Sequence, residues 1–169
     1  MNLENMIIEI IWFMLPGIFA TMTPVFFRKV KFLDIPISKK LFGKNKTYRG
    51  FFFGIIASIL IVLFQKIVYQ FSFFQSISFL DYSSVNILLL GFLLGFGALF
   101  GDLVKSFFKR RLNIEPGKSF PIFDQIDFVL GIVVFTYWML DLEKIIYMIL
   151  TGGILHYFAV ILAHRLKIR

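Results

Sequence analysis

The chain has 169 residues, of which 59% are hydrophobic and 17% charged, with a mean hydropathy of +0.84. That is far from the balance of a soluble domain and reads as an integral membrane protein. Lys and Arg outnumber Asp and Glu by 18 to 10, for a formal charge of +8, and cysteine is absent, which excludes thiolate catalysis, disulfides and zinc-thiolate sites.

The first residues, MNLENMIIEI, carry Glu4 and Glu9 and no basic n-region, so the first apolar run is expected to be a retained span and not a cleaved signal. A bilayer asks for about 20 apolar residues per helix. Five runs approach that: 6–27, 51–69, 85–103, 126–140 and 145–163, within a single domain spanning 1–169. The fourth is short, so its first turn is expected to begin in the charged stretch near Asp124. Pro16, Gly17 and Pro24 in the first run predict a bend or an end. Gly91, Gly95, Gly97 and Gly101 in the third form small-xxx-small pairs that let another helix approach, or else thin the wall of a substrate groove. The stretch 70–84, rich in Phe and Ser, reads as an outer loop or interfacial segment.

Charge placement sets the expected orientation. Arg28, Lys29, Lys31, Lys39, Lys40, Lys44, Lys46 and Arg49 lie between the first and second spans. Lys105, Lys109, Arg110, Arg111 and Lys118 lie between the third and fourth, and Arg165, Lys167 and Arg169 follow the fifth. Only Lys66 and Lys144 fall on the other side. The positive-inside rule then puts the N-terminus outside, the C-terminus in the cytoplasm and two long basic loops on the cytoplasmic face of the plasma membrane. Topology and anionic lipid account for the basic excess, and nucleic acid is not expected as a partner.

The densest charge, 101–127, holds five basic and four acidic residues beside apolar spans, which marks a site. Asp102, Ser106 and Lys109 share a face if the third helix runs on past the membrane. A carboxylate there suits a hard cation, and a hydroxyl and an ammonium suit phosphate oxygens; the competing reading is a solvated ion pair of Asp102 with Lys105 or Lys109. Asp124 and Asp127, three apart, face one point and repel unless a cation intervenes, which points to Mg2+; helix capping explains one of them as well.

The first basic loop ends in GKNKTYRG, 43–50. It is no P-loop, since Ser38 stands where the leading glycine belongs and Asn45 follows Lys44. Lys44, Asn45, Lys46, Thr47 and Arg49 could still clasp a triphosphate or a lipid phosphate, against the alternative of a stop-transfer cluster. His156 and His164 have no partner at ligand spacing and read as packing residues.

At these residues the sequence resembles the CDP-archaeol synthase family, membrane cytidylyltransferases related to the CDP-diacylglycerol synthases. The likeness is carried by GKNKTYRG at 43–50, GDLVKSFFKRR at 101–111 and PGKSFPIFDQID at 116–127, with Leu15-Pro16 and Pro24-Val25 upstream, and covers about 15–130. It implies transfer of CMP from CTP to a membrane ether-lipid phosphate, such as 2,3-bis-O-(geranylgeranyl)-sn-glycerol 1-phosphate, giving the CDP-lipid and pyrophosphate with Mg2+. On that basis Asp102, Asp124 and Asp127 are expected as metal ligands and, with Lys109, as the catalytic set. Ser106, Arg110 and Lys118 are expected on phosphate, and 44–49 on nucleotide or head group. The His-Gly-Gly of the diacylglycerol branch is missing. Tyr48 in place of tryptophan, Thr21 in place of asparagine and the altered stretch 33–37 depart from the family pattern; the last two bear on which lipid is taken. The rival readings are the same chemistry on phosphatidate, a non-catalytic binder of anionic lipid, and a transporter. The last would place its charges mid-membrane and not at one face.

Overall fold

The computed structural model describes residues 3–115, 118, 120 and 123–165, without the side chains of 156 and 159–165. It is built from helices α1 (Leu3–Phe26), α2 (Tyr48–Val68), α3 (Ser72–Ser76), α4 (Ile87–Arg111), α5 (Phe123–Thr136), a 3-10 turn (Tyr137–Met139) and α6 (Leu142–Arg165). Among the described residues α1, α2 and α4 are long and apolar enough to cross a membrane. The regions of the fourth and fifth expected spans are helical too, as α5 and α6. At 14 residues α5 is about 21 Å long by helix rise, short of a typical ~30 Å hydrocarbon core. His156 and His164 lie on α6, with side chains outside those described.

Three features sharpen the sequence expectation. First, α4 runs eight residues beyond 103, so Lys105, Lys109, Arg110 and Arg111 are helical and not in a loop. Three of these basic residues fill its last turn, where they offset the negative end of the helix dipole. Second, α1 stays helical through Pro16 and ends at Phe26, two residues after Pro24. Third, the stretch 70–84, which joins α2 to α4 through the short α3, packs onto the helices. Phe74 packs tilted against Trp12 at 5.3 Å, Phe79 against Phe13 at 4.9 Å, and Tyr82 lies 5.8 Å from Tyr69 and is fully buried. Apolar rings near the far ends of α1 and α2 thus bury themselves under a folded cap.

The glycines of α4 serve packing on two sides. Gly91 and Gly95 face α2, where a Cβ would come within 2.6 Å of Ile59 Cα and of Ser58 Cβ. On the α5 side the approach is closer still: a Cβ on Gly101 would lie 2.0 Å from the Asp127 carbonyl oxygen, and one on Gly131 2.0 Å from that of Gly97. No side chain fits there, so the two backbones touch. This contact lays the start of α5 beside the end of α4.

The first basic loop folds back on itself. Ile37 N–H donates to Lys46 O at 2.9 Å, Tyr48 N–H to Ile35 O at 3.0 Å and Arg49 N–H to Leu33 O at 2.9 Å, so 33–37 runs antiparallel to 46–49. Gly43, at φ +87°, makes the turn that no β-carbon favours.

Candidate active site

The close approach of α4 and α5 and the returning loop enclose a cavity of about 150 Å3 at one end of the helices. Its walls are Phe42 to Lys46 from the loop, Asp102, Lys105, Ser106, Lys109 and Arg110 from α4, and Asp124 from α5. Five cations line it against two carboxylates, a surplus that suits a polyanion.

Helix register accounts for the α4 wall. Residues 102, 105, 106 and 109 are spaced three and four apart and share one face. Asp102 pairs with Lys46 across the loop and with Lys105 at 3.1 Å on its own helix. Lys105 also reaches Asp127 at 2.7 Å and Asp124 at 3.4 Å. The three aspartates therefore do converge, and the ammonium of Lys105 stands where they meet. The solvated-pair reading of Asp102 does not describe this arrangement, because its partners include a lysine 56 residues away in sequence.

Lys109 is buried and spans Asp124, at 3.2 Å, and the backbone carbonyl of Lys118. It ties the loop after α4 to the start of α5. The Asp124 carboxylate accepts a 2.6 Å hydrogen bond from Phe120 N–H, upstream of its helix, so it braces the loop as well as facing the lysines. Burial alone would raise the Asp124 pKa, but the Phe120 N–H and the ammoniums of Lys105 and Lys109 outweigh it and hold the group below the usual carboxylate range. Ser106 donates its hydroxyl to Asp102 O at 2.8 Å and lines the cavity.

Arg110 Nε is buried, has no hydrogen-bond partner among the described residues and lies 4.0 Å from the position a Cβ would take on Gly43. An orphaned guanidinium donor beside a cationic cavity is a place for an anion.

Not every expected residue meets the cavity. Thr47 caps α2, its hydroxyl accepting from Gly50 N–H at 3.2 Å. Arg49 is buried and bonds Val30 O and, at 3.0 Å, Asp34, pinning the fold of the basic loop. Lys118 contributes a backbone carbonyl, and its side chain is exposed. Asp127 lies behind the cavity wall and touches it through Lys105. The residue that sequence reasoning passed over as a site member is Lys105. Its position three residues after Asp102 and four before Lys109 was the available signal, since it sets all three on one face.

A family model described as CarS-like, CDP-archaeol synthase, matches residues 3–169. The chain belongs to that family. A CDP-archaeol synthase of Methanocaldococcus jannaschii is 39% identical over 170 residues, covering 94% of this chain and 93% of that protein. One of Pyrococcus furiosus is 31% identical, covering 95% of each. A solved structure described as that of an intramembrane enzyme for archaeal membrane lipids biosynthesis superposes with a TM-score of 0.65 at 28% identity, over 92% of this chain and 94% of that one. The three stretches that carry the family resemblance in the sequence, 43–50, 101–111 and 116–127, supply every wall of the cavity except Phe42.

Proposed function

We propose that the chain is a CTP-dependent cytidylyltransferase that forms CDP-archaeol and pyrophosphate from CTP and an ether-lipid phosphate. The observation that carries this is the cavity itself: a cationic pocket, backed by three convergent carboxylates, at one end of apolar helices. A membrane lipid and a water-soluble nucleotide meet at such a place. In the reaction a phosphate oxygen of the lipid attacks the α-phosphorus of CTP in line, and the bond to the β-phosphate oxygen breaks as pyrophosphate leaves. No protein nucleophile is required, so the work is to bring two polyanions together and to steady the charge that grows on the leaving group.

Lys44, Lys46 and Arg110 suit the phosphates from opposite walls, and the Arg110 Nε, unpartnered among the described residues, is ready to donate. Lys109 positions Asp124 and the loop near 118. With Lys105 between them, Asp102, Asp124 and Asp127 do not have the spacing of a metal site among the described residues, but their hard oxygens, each within 3.4 Å of that one ammonium, are the donors that would hold a divalent cation such as Mg2+ in its place. When bound it would neutralise phosphate charge. The rings of Phe92, Phe96 and Phe100 stack at 5.3 and 5.8 Å along α4, flanked by Phe51 of α2 and Phe135 of α5. This apolar lane heads toward the cavity end of α4 and is where we place the lipid's chains. Five spans, an outside N-terminus and a cavity on the cytoplasmic face of the plasma membrane complete the proposal, supported by the asymmetry of Lys and Arg.

The test is purified protein in detergent with labelled CTP, Mg2+ and a panel of ether- and ester-linked lipid phosphates. A CDP-lipid from the ether lipid is expected. Product from phosphatidate alone would reassign the lipid, and no product from any would leave a lipid-binding protein without turnover.

A further inference from the structure

Lys105 occupies the point at which the three carboxylates meet. Its ammonium is 2.7 Å from Asp127, 3.1 Å from Asp102 and 3.4 Å from Asp124, and its side chain is 14% exposed. Asp102 has a second ammonium in Lys46 and Asp124 a second in Lys109. Lys105 is the cation within ion-pair distance of Asp127 among the described residues. Without it, three carboxylates gathered around one point would repel one another. With it, the close α4–α5 contact at Gly101 is electrostatically tolerable.

The oxygens stand at ion-pair distances from nitrogen. Among the described residues no group of three acidic or imidazole side chains has the spacing of a metal site. A magnesium ion wants oxygens at about 2.1 Å. An ammonium and a divalent ion do not share the same three oxygens at the same point. Lysine has a flexible four-carbon stem and three rotatable donors, so the side chain can leave while its helix stays put. The cavity it already lines, facing Lys46 and Arg110, is where its charge would turn.

We propose that Lys105 is the resident counter-ion of the carboxylate cluster, yields that place to the divalent cation, and then directs its ammonium at the nucleotide phosphates. This rests on the cytidylyltransferase reading for the identity of the phosphates. The exchange itself is a property of the protein and cation alone. It makes divalent binding weak until a polyanion gives Lys105 another partner, so the cation is held chiefly together with the nucleotide.

The experiment titrates Mn2+ into the purified full chain in detergent, without nucleotide or lipid, and reads free Mn2+ by electron paramagnetic resonance. A neighbouring cation changes a carboxylate's affinity for a proton by about 10- to 1,000-fold, and a metal competing for the same oxygens is expected to feel at least the lower end. Lys105→Met is therefore expected to bind Mn2+ at least about tenfold tighter than the wild type. Equal or weaker binding, or no binding by either protein, overturns the proposal. A merely structural lysine would not tighten metal binding when removed. The second measurement needs no variant: the rate at which an amine-reactive reagent modifies Lys105 in the wild type, read by mass spectrometry, should rise several-fold on saturating Mg2+. An unchanged rate overturns the proposal even if Lys105→Met does not fold. A preparation that passes both tests yet makes no CDP-lipid would refute the proposed function and leave the exchange standing.

Discussion

The two ends of the helical assembly are held by different forces. At the cavity end, half-buried and buried lysines and aspartates from α2's preceding loop, α4 and α5 compensate one another in a network. At the opposite end, Phe13, Phe79, Trp12, Phe74 and Tyr82 close the interior by ring packing, with Gln65 donating to Trp12 O at 2.6 Å. Packing fills space and tolerates no vacancy. A charge network stays adjustable, because its partners exchange without moving the backbone. The difference teaches that the cap end should govern stability and the cavity end turnover, and variants at each end put that division at risk.

The largest effect is expected at the cavity. Asp127→Asn keeps the shape but removes one charge of the cluster, and CMP transfer should fall by about 10²- to 10³-fold with little change in melting temperature. Retained activity would return Asp127 to a capping role. Phe13→Ala is the mirror test: its ring is fully buried, and its loss should cost about 3–5 kcal/mol of stability, seen as a lower melting temperature, while the folded fraction keeps its turnover per molecule.

Gly101→Ala probes the seam between the two regimes. The new methyl would meet the Asp127 carbonyl, so a loss of about 1–3 kcal/mol and a parallel fall in activity are expected, because the same shift displaces Asp102 from Asp127. A change in only one readout would show that the helix contact does not set the site. Smaller still is the response to acid. The Asp124 pKa is depressed on folding, so its stabilisation is present above the unfolded carboxylate pKa and is lost as pH falls through the folded one. Melting temperature should therefore decline on the acid side, below the ordinary carboxylate range, and Asp124→Asn should flatten that slope.

The smallest effect is expected from Tyr82→Phe. The hydroxyl is buried without a partner among the described residues, and burial pushes its pKa well above the usual phenol range. Removing it should leave stability unchanged or slightly raised by calorimetry.

The sequence alone determined the membrane class, the helical segments, the gathering of charge toward one face and the family, because apolar run length and motif spacing are local properties of the chain. It also named most of the cavity wall: Lys44, Asn45, Lys46, Asp102, Ser106, Lys109, Arg110 and Asp124. Only the tertiary structure decided that Arg49 and Thr47 hold the loop and helix start away from the cavity, that 70–84 is a packed cap, and that Lys105 and not open space lies between the aspartates. Helical spacing says which residues share a face but not what that face meets. The meeting of α4 and α5 follows from backbones touching at Gly101 and Gly131, and the distance between two carboxylates on different helices is set there.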